Sequence, residues 1–471
     1  MTGRSPVILW FRRDLRLGDH PALSAALARG GPVIPLFIHD DQVAALGAAP
    51  KWRLGLGIEA LDKALRNRGS RLILRRGPAL EGLRGLIEET GAGAVYWSRL
   101  YDPQARARDT EVKAALRTQG LEARSFGGHL LFEPWEVQTG TGGFYRVFTP
   151  MWNAVRGREV EAPLPAPGRI AGPEHWPVSE QLADWRLGAA MDRGADVLHA
   201  HVRPGAAAAE ARLAGFIEQR IDGYATDRDL PQKPGASGLS EYLSLGEISP
   251  GSCWHAGLRA RAEGRQGAET FLRELVWREF AAHLMYHTPH LLERNWKPGW
   301  DGFGWNEDAD HPHVIAWQRG RTGVPFVDAA MREMYVTGRM HNRARMIAAS
   351  YLTKHLLSHW RIGMRWFEDC LIDWDPASNA MGWQWVAGPG PDAAPYFRIF
   401  NPVSQLDKFD PRGEYARQWI AEGREAPPES ALSYFRAVPR HWGLSADDPY
   451  PAPVVTAQEG RARALAAYDR R

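Results

Sequence analysis

VILWFRRDLRLGD, residues 7–19, opens on a short apolar run before charge returns. The run is too short for a secretory or membrane-spanning segment and reads as a buried strand. Val33–Ile38, Arg71–Leu74, Ala94–Trp97 and Leu121–Phe126 read the same way, and amphipathic stretches such as Leu54–Arg68 and Gln104–Gln119 lie between them. Strands alternating with helices predict a doubly wound, Rossmann-like parallel sheet. The first strand runs into FRRDLRLGD rather than GxGxxG, so NAD is not expected there. The crevice at the strand ends remains a place for a ligand.

Outward from this α/β domain the pattern changes. Pro134, Pro163, Pro165, Pro167, Pro173 and Pro177 interrupt residues 134–202, which read as a surface connector. From residue 203 the periodicity is helical, most clearly in FLRELVWREFAAHLMY and VDAAMREMYVTGRMHNRARMIAASYLTKHLL. The predicted division is an α/β domain over 1–133, a connector over 134–202 and an all-α domain over 203–471.

A chain of 471 residues exceeds one ordinary core, and 44% hydrophobic with 24% charged residues is the composition of a soluble globular protein. A net charge of +3 does not by itself announce a nucleic-acid binder, although local basic surface can serve one. Cys253 and Cys370 lie far apart, which argues against a metal or disulfide framework and for a reducing, cytoplasmic setting. Most of the 20 tryptophans fall after residue 270, and most of those are expected to fill a helical core.

Several motifs ask for more than packing. In DWDPASNAMGWQW, residues 373–385, Asn379 and Trp383 share a helix face, with Asp373 and Asp375 at its positive end. Carboxylates accept from ring N–H groups, an amide reads a ring edge, and indoles stack or relay electrons: together they suit a flat, nitrogen-rich cofactor. In YATDRDLPQKPGASGLS, residues 224–240, small residues let backbone N–H groups approach a pyrophosphate. Such a loop taken alone is more often only a turn. Glu274, Trp277 and Arg278 form one helix face, ordinarily a core stripe beside an ion pair, though the same set can bond a base edge, stack on it and hold its phosphate. Asn342 and Met346 form another face, with Arg345 near His341.

From LWFRRDLRLGDHPAL to FRIFNPVSQLDKFD the chain resembles the photolyase/cryptochrome family, most closely the class I cyclobutane pyrimidine dimer (CPD) photolyases. The resemblance implies FAD in the helical domain, held by Tyr224, Ala236, Ser237, Gly238, Leu239, Ser240, Arg345, Asp373, Trp374, Asp375 and Asn379. Family members often carry Thr at Ala236 and Arg at Gly238. It further implies that Arg228, Glu274, Trp277, Arg278, Asn342, Arg343, Met346 and Trp385 meet DNA and its lesion. Glu274 and Asn379 would be catalytic, and Trp383, Trp360 and Trp305 would relay electrons to the flavin. The implied activity is light-driven electron transfer from FADH⁻ to a flipped-out dimer. The alternatives are a cryptochrome-type signalling flavoprotein and a (6-4) photoproduct photolyase. The lesion-pocket residues and the lack of a long C-terminal tail favour repair, and the MHNR segment offers only His341 to the (6-4) reading. The N-terminal domain could hold a second, antenna chromophore, with methenyltetrahydrofolate preferred over 8-hydroxy-5-deazaflavin because Glu111 lies where a folate-binding carboxylate is expected. The expected partner is dimer-containing DNA, with no membrane, no metal and no obligate protein partner, for a cytoplasmic monomer.

Overall fold

Every residue of Val7–Phe11 is buried, because this strand, β1, lies at the centre of a parallel sheet covered on both faces. The computed structural model describes residues 4–392 and 397–471, so residues 393–396, just beyond the DWD…WQW motif, lie outside it. The sheet order is β3-β2-β1-β4-β5, with β2 at Val33–His39, β3 at Ile73–Arg76, β4 at Ala94–Ser98 and β5 at Glu122–Phe126. Val7 pairs with both Val33 and Ala94, which makes the β1/β4 boundary the point where strand order reverses. Side chains alternate between faces: Val7, Leu9 and Phe11 join one apolar cluster, while Ile8 and Trp10 join the other. The third strand starts at Ile73, two residues later than its apolar pattern suggests.

We number only the helices that position the site: α1 (Ala48–Arg66), α2 (Pro103–Thr118), α3 (Phe148–Val155), α4 (Ser240–Leu245), α5 (Ala268–His287), α6 (Asn342–Ser350), α7 (Trp360–Cys370) and α8 (Pro376–Ala387). Asp102 caps α2 by accepting from Ala105 N at 2.9 Å, with Pro103 pre-set for the first turn. Asp375 and Pro376 start α8 in the same way.

The stretch read as a surface connector holds an element that its prolines obscure. In α3, Phe148, Met151, Trp152 and Val155 are buried in the helical domain's core, because FTPMWNAV places them at i, i+3, i+4 and i+7 on one face. The later part of the connector runs back along the sheet domain: Val33 N donates to Ala171 O at 2.8 Å and Glu180 N to Leu74 O at 3.1 Å.

FRRDLRLGD, which carries no phosphate loop, joins the domains. Leu15 N donates to Leu245 O at 3.2 Å, and Arg16 Nη1 donates to Gly246 O at 3.0 Å. Gly246 has a φ of 67°, and a Cβ there would fall 2.2 Å from Arg13 O, so the contact needs glycine. Beside it, Arg53 of α1 and Glu247 form an ion pair, both side chains 0% exposed, with Nη1 3.0 Å from Oε1. Gly205 N also donates to Glu247 Oε1 at 2.8 Å.

A π-helical segment, Tyr351–His355, continues α6 and buries Lys354. Lys354 Nζ donates to Arg398 O at 3.2 Å and sits 3.7 Å from the centre of the Phe397 ring. Burial pushes this ammonium down to about 7. Between pH 7 and about 10.4 the unfolded chain therefore binds a proton that the folded chain does not. Stability from this group is lowest below pH 7 and rises as pH climbs toward the unfolded value. Lys354→Met should raise stability at pH 7 by on the order of a few kcal/mol and flatten the slope above it. Urea unfolding at pH 6, 8 and 10 checks this; parallel pH curves for variant and wild type would remove Lys354 as the cause.

Candidate active site and DNA interface

Asp373 is the hub of the cofactor set. Arg345 Nη2, from α6, donates to its two oxygens at 2.9 and 2.7 Å, and Ser240 Oγ, from the first turn of α4, donates to Oδ2 at 2.7 Å. Three segments far apart in sequence thereby close on one carboxylate. Before Ser240 the chain approaches its neighbours tightly: a Cβ on Gly235 would fall 2.3 Å from Asp227 O, and Gly238 has a φ of 70°. The loop keeps Ala236, Ser237 and Gly238 at the surface side and buries Leu239 in the helical core. Sequence reasoning missed Arg212, whose guanidinium lies 3.5 Å from where a Gly238 Cβ would stand. A second arginine, Arg220, donates to Pro234 O at 3.2 Å. These arginines put positive charge beside a loop that lacks the family's own. Tyr224 is buried edge-on against Phe216 and Phe271, at 5.1 and 6.1 Å.

The other members of the motif have dual duties. Asp375 Oδ1 accepts from Ser378 N at 2.8 Å, so one of its oxygens is spent on capping α8. Asn379 Nδ2 donates to Met364 O of α7 at 3.0 Å, which fixes the amide and leaves its oxygen as the acceptor. Trp374 and Asn379 border a cleft of about 600 Å³ between the domains. That cleft lies where β1, β2 and β4 end, at the strand-order reversal, with Arg12, Asp40, Gln104 and Arg108 on the sheet side and Arg361, Arg365 and Glu368 on the helical side. Glu111 does not line it. The carboxylate is exposed on another side of α2, which corrects the ground on which a folate was preferred.

On the opposite part of the helical domain, Arg228 and Glu274 form an ion pair, and Arg343 Nη2 lies 2.7 Å from Asp229 Oδ1. Because Arg228 and Asp229 are adjacent, these pairs tie α5 to α6 in one line. Arg343 Nη1 reaches Met346 Sδ at 4.0 Å, and Asn342 is exposed in the first turn of α6. Trp277 is stacked on Phe148 of α3, with ring centres 3.7 Å apart and planes 5° off parallel. Trp385 Nε1 donates to Asp392 O at 3.0 Å. Asp392 has a φ of 53°, and neither it, as the partner of Trp385, nor Phe148, as the partner of Trp277, was legible from motif spacing.

Arg278 is a correction. Although it follows Trp277, its guanidinium points into the domain junction, donating to His129 O at 2.9 Å and to Glu279 Oε1 at 3.1 Å. Glu279 in turn accepts from Leu131 N at 2.7 Å, and burial pushes its carboxyl up to about 7. Neighbouring residues on a helix point about 100° apart, enough to send Trp277 and Arg278 to different surroundings. His341 caps α6, with Nδ1 accepting from Arg343 N at 3.2 Å, and burial holds it down to about 4, in the neutral form.

The three tryptophans expected to form a relay, Trp305, Trp360 and Trp383, are buried. Trp383 rests on Gly363, where a Cβ would fall 2.0 Å from its ring, one turn along α7 from Trp360. The His359 ring stands between Trp360 and Trp305, with centres 5.3 and 5.2 Å away. Trp305 Nε1 donates to Thr353 O, and Trp360 Nε1 to Asn295 Oδ1.

Residues 7–168 match the family described as DNA photolyase, and residues 271–470 match the FAD binding domain of DNA photolyase. The chain belongs to the DNA photolyase/cryptochrome family. It is 46% identical to a deoxyribodipyrimidine photo-lyase of Agrobacterium fabrum, over 98% of both chains. It is 34% identical to cryptochrome-1 of Arabidopsis thaliana, over 97% of this chain and 69% of that one. A solved structure from Agrobacterium tumefaciens superposes with a TM-score of 0.91 at 44% identity, covering 100% of this chain and 98% of that one. That relative is a bacterial class III photolyase, so the class I likeness drawn from the motifs is corrected to a class III one. FAD is the cofactor of this family's helical domain, and the Arg345–Asp373–Ser240 set with its arginine-flanked loop fits it. No helix among the described residues is long and apolar enough to cross a membrane.

Proposed function

We propose that this protein is a light-driven DNA repair enzyme acting on cyclobutane pyrimidine dimers. The single observation that carries this reading is Trp277, stacked on Phe148 and placed one turn along α5 from the Arg228–Glu274 pair. Bound FAD, when reduced, supplies the light-driven electron. The chain's residues do the rest: Arg345, Asp373 and Ser240 orient the cofactor, and Asn379 presents its amide oxygen to the ring edge. The loop 236–240 with Tyr224 and Arg212 holds the phosphates and adenine, and Trp374 and Asp375 complete the pocket. Trp277 and Trp385 receive the flipped dimer, Glu274 bonds its imide, and Arg228, Asn342, Arg343 and Met346 hold the strand around it. An α/β domain at 1–133, a connector at 134–202 and a helical domain at 203–471 are supported by one buried cluster made wholly of sheet-domain residues and another made wholly of helical-domain residues, and the interdomain cleft is the seat of an antenna chromophore. A cytoplasmic monomer needing no protein partner is consistent with the reading.

Base–aromatic stacking contributes roughly 1–3 kcal/mol per base, so losing one wall should weaken binding to dimer-containing duplex by about tenfold or more. Trp277→Ala and Trp385→Ala, titrated against lesion and undamaged DNA, are the test. Undamaged DNA, held by its phosphates, should lose much less. If wild type shows no lesion preference, the signalling reading replaces repair. Arg343→Ala should also lower the slope of log K against log salt by about 0.9 for its one phosphate. An unchanged slope takes Arg343 out of the interface.

A further inference from the structure

A second cavity, of about 380 Å³, lies beyond the ends of β4 and β5, across α2 from the interdomain cleft. Arg106, Thr110, Lys113 and Arg117 of α2 line it, at spacings that place them on one helix face, whereas Gln104 and Arg108 line the interdomain cleft. The cations there are held by neutral groups. Arg106 Nη1 donates to Tyr286 O at 3.3 Å, Lys113 Nζ to Ser125 Oγ at 2.6 Å, and Arg117 Nη2 to Ala123 O at 3.1 Å. The cavity's carboxylate, Asp109, is already engaged by Arg12 and Arg108, and its remaining arginine, Arg99, by Glu133. Burial, then Arg117 and Arg99, hold the Lys113 ammonium below its ordinary range, and Asp109 offsets them only in part.

Aromatic walls complete the cavity. Trp135 is 39% exposed, with its ring centre 5.7 Å from Tyr286 and 6.4 Å from Tyr101. Trp97 is fully buried beneath Lys113, 5.5 Å from Nζ, and its Nε1 has no acceptor among the described residues. Tyr286 follows Trp277 on α5 by about two and a half turns, so the two point to opposite sides of that helix and the cavity does not open on the lesion pocket.

We propose that this cavity binds a phosphate monoester carried on a planar heterocycle, the chemistry of a nucleoside monophosphate. Arg106, Lys113 and Arg117 surround the phosphate, and the ring lies against Trp135 and Tyr286. A concave site of this size suits a small ligand better than a length of polymer backbone, which needs an open track. The site is separate from the flavin, the antenna cleft and the lesion pocket.

AMP titrated calorimetrically into the full-length, FAD-loaded protein is the test. Saturable binding is expected, with adenosine and inorganic phosphate each weaker by roughly tenfold or more, because each lacks half of the recognised chemistry. Lys113→Gln and Arg106→Gln should each weaken AMP by about tenfold. Thr110→Trp, which fills the space without removing charge, should block it. Flavin content and lesion binding should remain as in wild type, which separates loss of the site from loss of the fold. No saturable binding at millimolar AMP would overturn the proposal, as would AMP binding that all the variants leave unchanged. Single-stranded oligonucleotide that displaces AMP and outbinds it would also overturn it, assigning the cavity to a polymer.

Discussion

Trp383→Phe is expected to stop nearly all light-driven reduction of the oxidised flavin while leaving repair by chemically pre-reduced enzyme in place. Trp383 is 2% exposed and sits between Gly363 of α7, Phe367 at 4.9 Å and Trp317 at 6.0 Å. An indole gives up an electron far more readily than a benzene ring, so phenylalanine keeps much of the shape and removes the redox function. Its four-residue spacing from Asn379 puts it one turn from the cofactor set, and Gly363 brings it against the helix that starts at Trp360. In the proposed relay, electrons from Trp305 and Trp360 would reach the flavin through it. The repair step itself runs between cofactor and lesion and does not use this route. Flash photolysis of oxidised protein, paired with a repair assay on dithionite-reduced protein, separates the two. Equal loss of both activities would mean that Trp383 supports the fold rather than the relay.

Arg53→Ala is expected to destabilise the protein by roughly 3–5 kcal/mol, the cost of leaving a buried charge without its partner. Arg53 comes from the α/β domain and Glu247 from the helical domain, and each side chain is wholly inaccessible. Removing the guanidinium leaves Glu247 with only the Gly205 N–H as a close donor among the described residues. The paired replacement Arg53→Met with Glu247→Leu should recover most of that loss, because a well-packed apolar pair avoids desolvating either charge. Denaturant midpoints for the single and double variants decide the matter. A double variant as unstable as the single one would show that the pair is needed for register between the domains.

Local signals made a large part of this protein legible. β1 could be read from VILWF because a strand buried on both faces is apolar at every position, not at alternate ones. The start of α8 could be read from DWDP, since an aspartate followed by proline is both cap and first turn. Asn379 and Trp383 share a face for the same helical reason, and Glu274 reaches the surface beside Trp277's helix turn as its spacing requires.

What spacing could not decide was direction and partnership across the fold. Arg278 has the right type and the right neighbour for a phosphate contact, yet the junction with His129 and Glu279 claims it. Glu111 has the right charge for a cofactor, but the turn of α2 carries it away from the cleft and brings Gln104 and Arg108 there. Phe148 looked like part of a proline-broken connector, and only packing against α5 shows it backing Trp277. Composition, hydrophobic period and caps determined the α/β and helical halves and their motifs, because each depends on residues within one or two turns of one another. The pairing of Asp373 with Arg345 and Ser240, the Arg53–Glu247 clamp and the stacking of Trp277 on Phe148 were decided by tertiary structure alone. Their partners lie tens to hundreds of residues apart, where no local periodicity reaches.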